Sequence, residues 1–419
     1  MNQQNKNYSA ALLMVGILFF IFGFVTWLNG TLIPYLKLTC NLDSDAKSFL
    51  VTFAFYMAYF FLAIPSSKIL EKTGMKQGMS IGLTVMAVGA ILFIPAANMR
   101  SFPMFLVGLF IQGMGLSLMQ TAVNPYVSIL GPIESAAQRI SIMGIFNKFA
   151  GILAPIVFGA VLLGNSEAIS AEIQNTADLV RKEALLNELA QRIVLPYQVL
   201  TAVLLLLAIG IRRSPLPDIS GENSAESGEN IVSRASIFDY PYAILGALAI
   251  FFYVGAEVMA GDVIGTYGKS LGFSLDQSKY FTSFTLISML VGYLVSLAII
   301  PKYIQQETWL KYCTILGIVL TLGAYFTTGS TAVSCIAALG FANAVMWPAI
   351  FPLGIAGLGK HTAMGSALLI MGIAGGAIVP QIYGALLPSM GYAAAFCVTM
   401  IPCYLYILYF AMAGYKVGK

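Results

Sequence analysis

The sequence predicts an all-α membrane protein of twelve transmembrane helices in two pseudo-symmetric six-helix bundles, and three observations carry that prediction. Of 419 residues, 58% are hydrophobic and 10% are charged, where a water-soluble domain has about 25% charged residues. Mean hydropathy is +0.84, and the apolar residues fall into stretches near the roughly 20 residues that a helix needs to cross a bilayer. One polar segment rich in Pro, Gly, Ser and Glu follows the sixth stretch and divides the chain six plus six. A soluble enzyme is excluded, because its helices would need charged faces that these segments lack.

The stretches run over residues 10–36, 48–70, 78–98, 103–130, 138–163, 194–212, 239–266, 277–300, 308–328, 331–357, 362–387 and 392–415. Residues 1–8 are polar, and the apolar run from Ala10 is too long, without a small-residue cleavage pattern, for a removed signal peptide. It is expected to remain as the first span. With the N-terminus inside, thirteen Lys and Arg residues fall on cytoplasmic segments and eight on outer ones. That bias predicts cytoplasmic N- and C-termini in a bacterial-type inner (plasma) membrane. Residues 165–192 carry Ile169, Ile173, Val180 and Leu189 at near-helical spacing with Glu and Arg between them, predicting an amphipathic helix on the outer face. The segment 214–238 lacks hydrophobic period over most of its length and reads as a flexible cytoplasmic linker. It joins an N-terminal bundle, 1–213, to a C-terminal bundle, 239–419. The five cysteines form no CxxC pair and His361 is the single histidine, so neither a disulfide framework nor a metal site is expected. No basic run suggests nucleic acid.

Polar residues inside the spans need a reason, since an unpaired amide in hydrocarbon is costly. The stretch from Gln112 to Pro132 holds Gln112, Gln120 and Asn124, the last followed by Pro125, which perturbs the backbone and frees carbonyls. It reads as one wall of a polar cavity or as glue between neighbouring helices. The two halves also repeat. Phe19-Phe20 to Gly30 aligns with Phe251-Phe252 to Asp262 at an offset of 232 residues, and Gly151-Ile-Leu-Ala-Pro155 aligns with Gly376-Ala-Ile-Val-Pro380 at 225. Such duplication places a solute between the halves, near mid-membrane.

Four segments carry a resemblance. Leu28-Asn29-Gly30-Thr-Leu-Ile-Pro34-Tyr-Leu-Lys37 resembles LNDxLxPxLK, and Gln120-Thr-Ala-Val-Asn124-Pro125-Tyr-Val resembles [EQ]TAxNPxV. Phe252-Tyr-Val-Gly255-Ala-Glu257-Val resembles FxYVGxEV, and Gly357 to Pro380 resembles GLGKxTxxGSxxLxMxIxGGxIVP. The chain thereby resembles the fucose:proton symporter family of the major facilitator superfamily, especially its glucose/galactose transporter branch. The resemblance implies a secondary active hexose transporter working by alternating access, not an enzyme. It is expected to have no cofactor beyond a coupling proton or sodium ion, and a sugar and the bilayer as partners of a monomer. A sugar uniporter and a proton-driven exporter of another small molecule stay open as alternatives.

For a sugar, amides serve the hydroxyls and an aromatic plane serves the ring face. The candidates are Asn29, Gln112, Gln120, Asn124 and Asn147 in the first half, with Asn343, Trp347 and Gln381 in the second. Two departures affect coupling: Gly30 stands where the family usually has aspartate, and Gln120 where its fucose-type members have glutamate. The ionisable residues left within the spans are Lys148, Glu257 and Asp262, the last at the repeat-mate of Gly30. An intramembrane lysine needs a partner or a cavity. Lys148 is expected to pair with Asp262 or Glu257, either to carry the coupling proton or to replace a coupling cation with a tethered ammonium. Glu71, in the turn Ser66 to Lys76, resembles the acid of the superfamily's gating loop between its second and third helices. A basic turn that obeys the positive-inside rule accounts for the neighbouring lysines equally well.

Overall fold

The computed structural model describes residues 3–129, 136–214, 236–358 and 361–418. Most of the expected linker, with Gly131, Pro132, Gly359 and Lys360 of the motifs above, lies outside the described residues. Among the described residues eleven helices are long and apolar enough to cross a membrane, and the last, Met364–Met412, spans 49 residues. It bends at Gly391, whose φ of 73° is left-handed and suits a residue without a Cβ. Twelve crossings result. We label them α1 (Leu12–Thr39), α2 (Asp45–Thr73), α3 (Met75–Met99), α4 (Phe102–Ile129), α5 (Ala136–Leu162), α6 (Val194–Arg213), α7 (Pro241–Gly261), α8 (Phe281–Ile299), α9 (Gln306–Phe326), α10 (Gly329–Ile355), α11 (364–390) and α12 (392–412).

The packing repeats as the sequence does. In the first half α1 packs on α5, α2 on α4, and α3 on both α4 and α6. In the second half α7 packs on α11, α8 on α10, and α9 on both α10 and α12, which is the same pattern advanced by six helices. The halves meet through α5 against α8 and α2 against α11, and these contacts are pseudo-symmetric mates. Without a hydrophobic drive between helices in lipid, such contacts rest on close backbone approach. A Cβ built on Gly375 of α11 would lie 1.7 Å from the Phe251 carbonyl oxygen of α7, so only glycine fits.

One sequence expectation is corrected. Residues 165–192 form two helices, Ser166–Asn175 and Leu179–Gln191, because Asp178 caps the second by accepting from the Val180 and Arg181 N–H groups and resets the register. Val180 is consequently 78% exposed, and the buried face is Ile173, Leu185, Leu186 and Leu189. Helix α4 runs through Pro125 to Ile129, as the expected span 103–130 has it. Helical breaks lie at Leu28 in α1, Phe49 in α2, Leu92 in α3, after Gly261 in α7, at Ala344–Val345 in α10 and at the 3-10 turn Gly372–Ala374 in α11.

At the end of the bundle that holds Asp45, the halves touch. Lys37 pairs with Asp45, and the Tyr392 hydroxyl donates to the same carboxylate from the other half. Phe49 and Tyr383 pack with ring centroids 5.6 Å apart. At the opposite end, Lys76 donates to the Ser214 carbonyl oxygen at 2.7 Å, tying the start of α3 to the end of α6.

Replacing Gly375 by valine should overpack the α7–α11 contact and lower stability by about 1–3 kcal/mol. Valine at Gly210, where a Cβ meets nothing within 4 Å, serves as the control. Thermal unfolding in detergent checks this; equal melting temperatures for the two variants would refute the close-approach argument.

Candidate functional site

An ion pair bridges the two halves in the membrane interior. Lys148 Nζ of α5 lies 2.8 Å from Glu257 Oε1 of α7, and the two side chains are 9% and 10% exposed. The ammonium also sits 4.7 Å from the centroid of the Trp27 ring, a cation–π contact that replaces part of its lost hydration. Trp27, at the end of the first segment of α1, is held by two glycines: a Cβ on Gly151 or on Gly261 would come within 2.4 Å of its ring. At an effective dielectric of 20 the attraction across 2.8 Å is about 6 kcal/mol, against a desolvation penalty of several kcal/mol for each ion. The two roughly offset each other, so the pair adds little net stability.

Asp262 lies beyond the end of α7, five residues after Glu257, and is fully buried. Among the described residues neither carboxylate oxygen closes a hydrogen bond; the Gly30 N–H and the Tyr56 hydroxyl, both from the other half, face it, and Glu257 and Lys148 act on it electrostatically. Opposite it the helix break of α1 is packed tight. A Cβ on Gly30 would come within 2.4 Å of Thr282 Oγ1, whose hydroxyl donates to the Gly261 carbonyl oxygen at 2.7 Å. Position 30 therefore has no room for an acidic side chain in this arrangement, and the buried acid occupies the repeat-mate.

The remaining candidates divide into those gathered here and those placed elsewhere. Asn29 is fully buried beside the Tyr56 hydroxyl, with neither amide atom closing a hydrogen bond. Gln120 donates to the Tyr59 hydroxyl at 3.1 Å, and Tyr59 stacks on Tyr56. From the second half, Trp347 stacks on Phe351 and tilts against Tyr253, which faces Glu257. Asn343 accepts from Tyr404 at 2.9 Å and leaves its Nδ2 unpartnered among the described residues, as does Gln381 its Nε2 on the α11 stretch that packs on α2. Asn124 is half-buried and engaged. Asn147 turns back to the Phe19 carbonyl oxygen at 3.4 Å. Gln112 lies elsewhere: it packs against Gly89 of α3 and faces Tyr197 of α6, inside the first bundle. Glu71 is exposed and forms no ion pair among the described residues. Sequence reasoning missed Tyr56 and Tyr293, which face the acids, and Tyr59, which accepts from Gln120 and stacks on Tyr56. A signal existed for the first two, since hydroxyls three residues apart on an apolar helix share one face.

A buried polar group without a partner costs about 1–3 kcal/mol. Asn29 and Asp262 leave such groups near one ion pair, at the seam between the pseudo-symmetric halves.

Over residues 15–380 the sequence matches the Major Facilitator Superfamily. The chain belongs to that superfamily. Among its superfamily relatives, it is 36% identical to a glucose/galactose transporter of Brucella abortus over 98% of this chain and 95% of the relative. A putative glucose/galactose transporter of Helicobacter pylori is 32% identical, over 99% and 98%. The Escherichia coli L-fucose-proton symporter is 30% identical, over 91% and 87%. A crystal structure of the E. coli fucose:proton symporter superposes with a TM-score of 0.75 at 26% identity, covering 97% of this chain and 98% of that one. A structure of the same transporter in the outward conformation gives the same TM-score at 27% identity. At the Asp45 end of this chain's bundle, side chains of the two halves are in contact.

Lys148→Ala would leave Glu257 buried without its partner and should cost about 3–5 kcal/mol. Adding Glu257→Gln should restore most of that loss. A double-mutant cycle of thermal unfolding tests it, and a double variant no more stable than Lys148→Ala would remove the pair from the account.

Proposed function

We propose that this chain imports a hexose of the glucose/galactose type by alternating access, coupled to a cation, and performs no chemistry on it. The observation that carries the reading is the Lys148–Glu257 pair, which joins the halves among amides and tyrosines. The relatives of similar length that carry the names of sugar transporters support it. The sugar's hydroxyls meet Asn29, Gln120, Asn124 and Asn147 from the first half and Asn343 and Gln381 from the second. Trp347 offers its plane to the ring. Gln112 is assigned to helix packing. Lys148, Glu257 and Asp262 couple the sugar to the ion, and Glu71 acts at the turn that changes between states.

In this reading the protein lies in the inner membrane of a bacterium as a monomer, with both termini in the cytoplasm, as the distribution of Lys and Arg favours. The Asp45 end then faces outward and is shut. The two helices between Ser166 and Gln191 lie on the outer surface, and 214–238 links the bundles on the inner side.

Proteoliposomes loaded under an imposed proton gradient, a sodium gradient or none should accumulate labelled glucose or galactose above equilibrium under one gradient only, with unlabelled hexoses competing. Equilibration indifferent to both gradients would replace symport by facilitated diffusion. Absence of any hexose movement would overturn the sugar reading.

A further inference from the structure

The site holds two carboxyl groups and one ammonium, and the geometry separates their duties. Lys148 is committed to Glu257 by a 2.8 Å contact and to the Trp27 ring, so it serves as partner to one acid only. Asp262 is left at the seam, fully buried, with Gly30 and Tyr56 of the opposite half facing it, and Lys148 is the cation among the groups that act on it. If all three groups were ionised, the enclosed site would carry one uncompensated negative charge. Burying such a charge is far costlier than burying the neutral acid.

We infer that Asp262 carries the coupling proton, whereas Lys148 and Glu257 stay bound to each other as a fixed pair through the cycle; this rests on the symport reading above. The carboxylate, open to outer water, takes up one proton. The halves close over the neutral acid, with Tyr56 and the Gly30 backbone against it. When the site opens to the other side, the acid returns the proton to inner water and is again a carboxylate. One proton crosses with each sugar, and no bond other than O–H forms or breaks. The titratable groups around Asp262 are Glu257 on the preceding turn, Lys148 of α5 and Tyr56 of α2. Closure at the Asp45 end thereby depends on protonation, because the groups covering Asp262 come from the half that moves away on opening.

The test uses the full-length protein in proteoliposomes. Asp262→Asn should lose both accumulation of labelled galactose and sugar-driven proton uptake, while exchange of labelled for unlabelled sugar persists and becomes indifferent to pH. Asp262→Glu should retain accumulation with a displaced pH profile. Wild-type accumulation in Asp262→Asn would overturn the assignment. So would loss of exchange together with accumulation in a variant whose melting temperature is unchanged, since Asp262 would then serve structure or sugar binding. Should the wild type move no hexose, the sugar reading fails and infrared spectroscopy of the purified protein decides this inference separately. A protonated carboxyl stretch at neutral pH that is missing from Asp262→Asn supports it, and no such band in the wild type overturns it.

Discussion

A salt bridge buried between the two halves constrains everything around it. Lys148 and Glu257 can remain charged only while each has the other, so the seam that holds them must keep α5 and α7 in register. Trp27 covers the ammonium, and the glycines at 151 and 261 give that ring its slot. The neighbouring contacts obey the same demand. Ser283 of α8 donates to the Ile152 carbonyl oxygen of α5 at 2.9 Å, one turn of helix from the lysine. Since attraction and desolvation nearly cancel, the pair contributes specificity of approach between the halves more than adhesion.

The duplicated architecture is symmetric in its packing and asymmetric in its chemistry. Helix contacts repeat with an advance of six, and α1 and α7 break about two residues apart in the repeat alignment. At those breaks one half has glycine and the other aspartate, and the Thr282 hydroxyl occupies the space next to the glycine. The lysine likewise belongs to α5 alone; its counterpart region in α11 is glycine-rich and packs by backbone contact on α7. A fold made of two like parts thus acquires a direction, because the parts contribute different groups to a shared centre.

Much of this was legible in the sequence, for a physical reason: the bilayer imposes length and apolarity on every crossing, so spans can be read from composition. The site was legible in type but less so in place. Eight residues separate Gln112 from Gln120, turning them about 80° apart around α4, and that rotation sends Gln112 toward Gly89. Glu257 and Asp262 lie about 140° apart by the same arithmetic, so a lysine on α5 can face one and not both. Which one is a matter of how α5 and α7 approach, and no local pattern carries that. The break at Ala344–Val345 has its signal in Pro348, which offers no N–H to the Ala344 carbonyl oxygen.

The charge count of this centre also decides how it responds to voltage. With Asp262 protonated, the three groups sum to zero, and the loaded, closed form crosses the field without electrical work. After release the centre bears one negative charge. An inside-negative potential acts on a charge crossing the whole field with about 2.3 kcal/mol per 100 mV. That force favours reorientation of the empty carrier toward the outside, so the membrane potential drives the return stroke rather than the entry of sugar.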